Sequence, residues 1–275
     1  MKKGLKLLLS AILTLSLVGC GSSPASDITT VKVGVVGEYN QQWDTINELL
    51  EGENIQVELV KFSDYKAPNR ALNDGDIDMN AFQTQEYLDN EIESLGYDIT
   101  GIGNTIIVPL ALYNNKDKIS SVEDIKDGDI IAIPSDLING GRALKLLESA
   151  GLIECDPSKG ATPTKADITK YNVNIEIKEA ESGMLAKLLP DVTAAVINGG
   201  NAYTGGLSLK DDAIYVENVD PEVNERVSQL INVIAVRNED KDNEVYQKIV
   251  AAYQTDEVAN TIEESYQGAF ICTWE

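Results

Sequence analysis

DIIAIPSDLINGGRALKLLESAG, residues 129–151, reads as a strand that ends at Pro134, a polar turn and then a helix. In GRALKLLESAG, residues 141–151, the apolar positions 143, 144, 146, 147 and 150 follow a helical period, and Gly151 suits a C-terminal cap. Between strand and helix, Asn139 reads as the N-cap and Gly140-Gly141 as a tight turn, which puts Arg142 in the first helical turn. A cation there opposes the positive end of the helix dipole, at a cost of about 0.3–1 kcal/mol, unless an anion sits between them. Free backbone N–H groups, the dipole and a guanidinium together describe a carboxylate site.

The same alternation of strand and helix runs along the chain. VKVGVVG (31–37) is a buried-strand run, WDTINELLEG (43–52) a short helix ending in Gly, and IQVELVKF (55–62) a strand with alternating apolar residues. VNIEIKEA (173–180), TAAVIN (193–198) and DAIYVEN (212–218) complete a second set of strands, and the apolar strands TIIVPLALY (105–113) and LINVIAVRN (230–238) flank that set. Paired strands bracketing an inserted α/β unit predict two α/β lobes joined by two crossovers. The ligand site is then expected in the cleft between them, at the C-terminal ends of the strands.

The start of the chain sets the compartment. MKKGLK is basic, LLLSAILTLSLV is an apolar run of signal-peptide length, and Leu17-Val18-Gly19-Cys20 closes it with small residues. About a dozen apolar residues are too few for a membrane span, which needs roughly 20. Leu-Val-Gly-Cys also resembles the lipobox of bacterial lipoproteins, which implies a signal peptide over 1–19, cleavage before Cys20 and lipid on the Cys20 sulfur. GSSPASDITT follows as a polar tether, so residues 20–30 are read as anchor and linker. The expected location is the outer face of the cell membrane, held there by the lipid.

The 275 residues carry a formal charge of −23; removing 1–19 takes away three lysines and no acids, leaving 19 basic against 45 acidic residues, or −26. Such a surface argues against nucleic acid and against docking on anionic headgroups. The chain has no His, so neither a Ser-His-Asp nor a Cys-His nucleophile can be assembled, and no His-ligated zinc site exists. No catalytic residue, metal site or cofactor is expected. Ser63-Asp64-Tyr65-Lys66 matches S-x-x-K, but Pro68 lies where that helix should continue. Asp74, Asp76, Asp78 and Asn80 imitate a calcium loop, with Met79 at its Gly position and Gln85 at its bidentate Glu position. Gly101-Ile102-Gly103 lacks the third Gly of a dinucleotide fingerprint. Cys155 and Cys272 are read as buried free thiols, with a disulfide between them the alternative.

Four long segments sharpen this outline: FSDYKAPNRALNDGDIDMNAFQTQEYL (62–88), IAIPSDLINGGRALKLLESAGLI (131–153), AAVINGGNAY (194–203) and INVIAVRNED (231–240). In order and spacing they resemble the NlpA/MetQ family of methionine-binding lipoproteins, from about Val31 to the C-terminal GAFICTW. The resemblance implies a type II periplasmic-binding-protein fold whose two lobes close on a ligand. It also implies delivery of that ligand to an ABC permease with its ATPase. Residues 31–110 plus 231–275 would form lobe 1 and 111–230 lobe 2, in a monomer.

By the same resemblance Arg142 grips the ligand carboxylate, while Asn139, Asn198 and Asn232 hold its amino and carboxylate groups. Tyr65, Phe82, Thr84 and Tyr87 would line the side-chain pocket. The residue types suit these tasks: a guanidinium binds a carboxylate bidentately, Asn offers donor and acceptor without net charge, and aromatic faces pack on a thioether. A strand-end turn is the alternative for Asn198 and an edge strand for Asn232, and Asn69, Gln83 and Gln85 read as structural amides. The family reads F-Q-H where this chain has Phe82-Gln83-Thr84, and P-N-D where it has Pro134-Ser135-Asp136. Thr in place of the imidazole would shorten that wall and enlarge the pocket. Methionine is the expected ligand, with another amino acid or a short peptide, or a surface adhesin or sensor without transport, as alternatives.

Overall fold

A computed structural model describes residues 28–274; the signal segment and Cys20 lie outside the described residues. Along the chain come β1 (Thr29–Val36), α1 (Gln42–Leu50), β2 (Ile55–Phe62), α2 (Ala67–Asp74), β3 (Met79–Thr84), α3 (Gln85–Leu95), β4 (Ile99–Ile107) and β5 (Leu110–Asn114). Next are β6 (Ile130–Pro134), α4 (Leu137–Ser149), β7 (Ile153–Cys155), β8 (Ile168–Tyr171), β9 (Glu176–Ala180), α5 (Leu185–Leu188), β10 (Ala194–Asn198) and α6 (Gly199–Thr204). The chain then forms α7 (Leu209–Asp212), β11 (Ala213–Val216), α8 (Val227–Leu230), β12 (Ile231–Arg237), α9 (Glu244–Tyr253), α10 (Asp256–Tyr266) and β13 (Ile271–Cys272).

The strands sort into two large sheets, one of order β13-β4-β12-β3-β1-β2 and one of order β11-β5-β10-β6-β9, with β7-β8 as a small separate ladder. β1 runs parallel to β2 in unbroken register from Thr29↔Ile55 to Val36↔Phe62, while β12 lies antiparallel between β3 and β4. Each sheet is covered on both faces, which is why its central strands are nearly continuous apolar runs. On the first sheet, Trp43 and Ile46 of α1 pack with Ile249, Val258 and Ile262 on one face, and Leu72 and Leu88 with Val233 and Ala235 on the other. On the second, Leu144 and Leu147 of α4 cover Ile131, Ile133 and Val196, and Leu185 and Leu189 cover Ala132, Ala195 and Ile197. Burying one such Leu or Ile contributes about 1.5–3 kcal/mol, so each lobe has a core of its own.

Several local expectations need correction. TIIVPLALY is two strands in different sheets, because Pro109 has no N–H to continue a ladder and the chain leaves one sheet at Ile107 to enter the other at Leu110. The helix expected at 141 begins at Leu137: Asp136 is the N-cap and accepts from the Asn139 backbone N–H at 2.8 Å. Gly140 and Gly141 therefore lie inside α4 and serve close packing. A Cβ on Gly140 would lie 2.9 Å from the Pro134 carbonyl, and one on Gly141 2.8 Å from the Ala161 carbonyl. Gly151 does follow the helix in a left-handed conformation, at φ +78°. After α1 the left-handed residue is Asn54 rather than Gly52. β12 is an interior strand, so Asn232 is not an edge amide. Cys155 and Cys272 are both free, in different sheets, and Cys272 is only half-buried.

Candidate ligand-binding site

Two crossovers join the lobes, Val108-Pro109 and the longer segment from Glu217 to α8, whose Arg226 donates to both Glu86 oxygens of α3 at 2.7 Å. The lobes meet along a closed seam. Asn201 Nδ2 donates to the Tyr65 hydroxyl at 3.0 Å and the Glu38 backbone N–H to Thr204 Oγ1 at 3.3 Å. Ile138 of α4 packs with Val36, Phe82 and Tyr87 of the opposite lobe. Within the seam lies a cavity of about 40 Å³, room for a few waters at the ~10–15 Å³ each requires. Arg142, Asn139, Asn198, Asn232, Tyr65, Phe82, Thr84 and Tyr87 all line it. A larger void of about 700 Å³, lined by residues such as Tyr113, Tyr203, Tyr266 and Phe270, has no carboxylate or guanidinium in its wall. Convergent polar groups, more than volume, mark a ligand site.

The polar end of the cavity is ordered by a relay. The Asp136 carboxylate can only accept, so Asn139 Nδ2 donates to its two oxygens at 3.0 and 3.2 Å. That turns Asn139 Oδ1 toward Asn198, whose Nδ2 donates to it at 2.7 Å. Asn198 Oδ1 is left buried with no hydrogen-bond partner. An orphan acceptor of this kind costs about 1–3 kcal/mol unless a donor meets it. Arg142 lies in the second turn of α4, not the first, so the helix-terminus part of the carboxylate argument falls away. Its guanidinium is 3% exposed and donates from Nε and an Nη to Glu217, at 3.1 and 2.6 Å. Two of its five N–H groups are so engaged, and the rest stay available at the cavity wall.

A cluster of rings supplies the apolar part of the wall. Phe82 stacks on Tyr65 with centroids 6.0 Å apart, and Tyr87 meets both edge-on. Thr84 ends β3 and caps α3, its hydroxyl accepting from the Tyr87 backbone N–H at 3.2 Å. Such a cap contributes about 1 kcal/mol. Gln83, which also lines the cavity, forms a buried amide triad with Asn69 and Asn80, its Nε2 donating to Asn69 Oδ1 at 2.7 Å and to Asn80 Oδ1 at 3.0 Å. Gln85 donates to Asp89 one helical turn on.

Sequence reasoning missed Tyr39, Val108, Gly199 and Gly200, which also line the cavity, as does Gln83, read from the sequence as a structural amide, and it missed Asp136 and Glu217, which order the site. Tyr39 follows the C-terminal end of β1, the place where open sheets bind ligands, and that position was the available signal. Its phenol end rests on Gly200, where a Cβ would lie 2.4 Å from the ring.

Burial pushes the Tyr39 phenol up to about 12 and raises those of Tyr87, Tyr113, Tyr253 and Tyr266 as well. The folded chain thus holds these protons after an unfolded chain, near pH 10, has released them. Stability is whole below pH 10 and falls above it, by about 1.4 kcal/mol per pH unit for each phenol still protonated. The expected result is that the last phenolate absorbance, that of the buried phenols, appears above pH 10 together with the loss of circular dichroism. Ionisation of all eleven phenols on a chain whose circular dichroism stays native would contradict it.

The family described as NlpA lipoprotein matches residues 31–274. The chain belongs to the NlpA lipoprotein family. A relative in this family, the D-methionine-binding lipoprotein MetQ of Salmonella typhimurium, is 38% identical over 265 residues, covering 95% of this chain and 94% of that one. A nutrient-binding protein from Burkholderia cenocepacia, solved bound to methionine, superposes with a TM-score of 0.83 at 35% identity, over 89% of this chain and 100% of that one. The substrate-binding protein of a methionine transporter from Streptococcus pneumoniae gives 0.83 at 36%, over 89% and 96%. The two-lobe architecture of this NlpA lipoprotein is therefore that of periplasmic binding proteins.

Proposed function

We propose that the protein is a lipid-anchored, extracytoplasmic solute-binding protein that captures a free amino acid, methionine in the first place, for an ABC permease. It binds and does not catalyse. The observation that carries this reading is one buried cavity that brings together Arg142, the orphaned Asn198 Oδ1 and the Tyr65-Phe82-Tyr87 rings. A carboxylate on the guanidinium and an ammonium at the amide oxygen are the two ends of an α-amino acid, with Asn232 completing the wall. The rings suit a thioether. The methionine-binding relatives support the same ligand. Cys20 carries the anchor, and no helix among the described residues is long and apolar enough to cross a membrane.

The test is a thermal-shift panel of L- and D-amino acids and dipeptides on protein stripped of co-purified ligand by unfolding and refolding. A ligand at 100 times its Kd adds about 2.7 kcal/mol, roughly 5–10 °C for a chain of this size. Methionine is expected to give the largest shift. A panel with no shift at all would sink the amino-acid reading.

A further inference from the structure

Glu217 is the first residue beyond β11 and opens the second crossover. Its carboxylate accepts from Arg142 Nε and Nη, and also from the Leu110 backbone N–H at 3.0 Å, just past the first crossover. The Glu217 side chain is 14% exposed. Arg142 is therefore already neutralised before any ligand is considered. Arg stays protonated in a protein, and Asn139, Asn198 and Asn232 carry no charge. A ligand carboxylate at the remaining edge of the guanidinium adds one uncompensated negative charge to a buried cleft, and the Asp136 carboxylate, one amide away, adds to the same sign. Burying an unpaired charge is costly, so the balance must come from a cation on the ligand itself.

We propose that Glu217 is a positioning and specificity residue, which aims the Arg142 fork and makes the site select zwitterions against anions of the same shape. An α-ammonium restores neutrality and donates to Asn198 Oδ1. An α-hydroxyl can donate to the same atom but leaves the charge unbalanced. This rests on the amino-acid reading above and adds the class of ligand the site refuses.

The experiment is calorimetric titration of the ligand-stripped mature lipoprotein in detergent with two probes. They are the amino acid giving the largest shift in the panel, methionine on our reading, and the α-hydroxy acid with the same side chain. The wild-type chain is expected to prefer the amino acid by about a hundredfold, the size of one charge-assisted interaction. Glu217→Gln keeps one of the two acceptor oxygens, enough for an Arg142 Nη and the Leu110 N–H, and is expected to shrink that preference about tenfold. Glu217→Asp, which keeps the charge and loses the reach, is expected to weaken both probes and hold the preference. A purely structural role would move both affinities and leave their ratio alone. A wild-type preference under about tenfold, or an unchanged ratio in Glu217→Gln, overturns the proposal while amino-acid binding stands. Failure of the wild-type chain to bind any amino acid overturns the reading beneath it.

Discussion

Arg142→Ala is expected to weaken amino-acid binding by two to three orders of magnitude and, separately, to lower the stability of the unliganded protein. The first effect is the loss of the charge-assisted bonds to the ligand carboxylate, each worth about 1.5–3 kcal/mol. It is made worse because Glu217, 14% exposed, would then face that carboxylate as a like charge. The second has a different cause. Removing one partner of a buried ion pair costs about 3–5 kcal/mol when the other is left without compensation, and the partial exposure of Glu217 brings this down to roughly 2–3. At about 2–4 °C per kcal/mol, the melting temperature should fall by roughly 4–12 °C. Arg142→Met combined with Glu217→Gln removes both charges and is expected to recover most of the stability and none of the binding. Titration calorimetry and thermal denaturation read the two effects apart. Normal affinity in Arg142→Ala would mean that the ligand carboxylate is held elsewhere.

Gly200→Ala is expected to act with opposite signs on stability and binding. Gly200 lies in α6, where Ala is favoured over Gly by about 0.5–1 kcal/mol, so an open, unliganded chain should be no less stable than the wild type. In the closed seam, however, the new Cβ would lie 2.4 Å from Tyr39 Cε1 and 2.6 Å from Cζ. Tyr39 has little room to yield, being buried and set edge-on against Phe270 at 5.3 Å. The lobes must then stop short of full contact, and the affinity should fall by about a hundredfold for the roughly 3 kcal/mol that overpacking costs. Tyr39→Ala in the same chain removes the obstruction and should restore closure. Small-angle scattering with and without ligand is the decisive measurement: a ligand-induced contraction equal to that of the wild type in Gly200→Ala would refute the steric argument.

The parts of the fold that were legible share one property. VKVGVVG, beyond the exposed Lys32, and TAAVIN are buried on both faces, so composition alone marked them, and Gly151 punctuates the end of α4 by its backbone freedom. The misreadings occurred where one signal served two structures. Asp136 and Asn139 are both competent N-caps three residues apart, and only the packing of Gly140 on Pro134 decides for the first. TIIVPLALY keeps the same apolar pattern across a change of sheet, and Pro109 alone records it. In the candidate site, the resemblance supplied eight residues that the structure brings to one cavity. Glu217 was not legible because its partner lies 75 positions away, and an acid at the end of a strand looks like any solvated one.

The two crossovers are unequal, and the inequality constrains how the molecule can move. Val108-Pro109 is two residues long and stiffened by the ring of proline, whereas the chain from Glu217 to the start of β12 has slack to follow. The short link fixes the separation of the lobes at one point, so the allowed motion is a swing about it rather than a parting of faces. Val108 lies both on that pivot and in the wall of the cavity, whereas at the rim a Cβ on Gly183 would lie 3.1 Å from the Ser63 carbonyl. The proposed ligand site is thus near the fulcrum, and the rim is the long arm. A sub-ångström adjustment around a bound amino acid is thereby magnified at the outer edge, where a permease would have to tell a loaded carrier from an empty one.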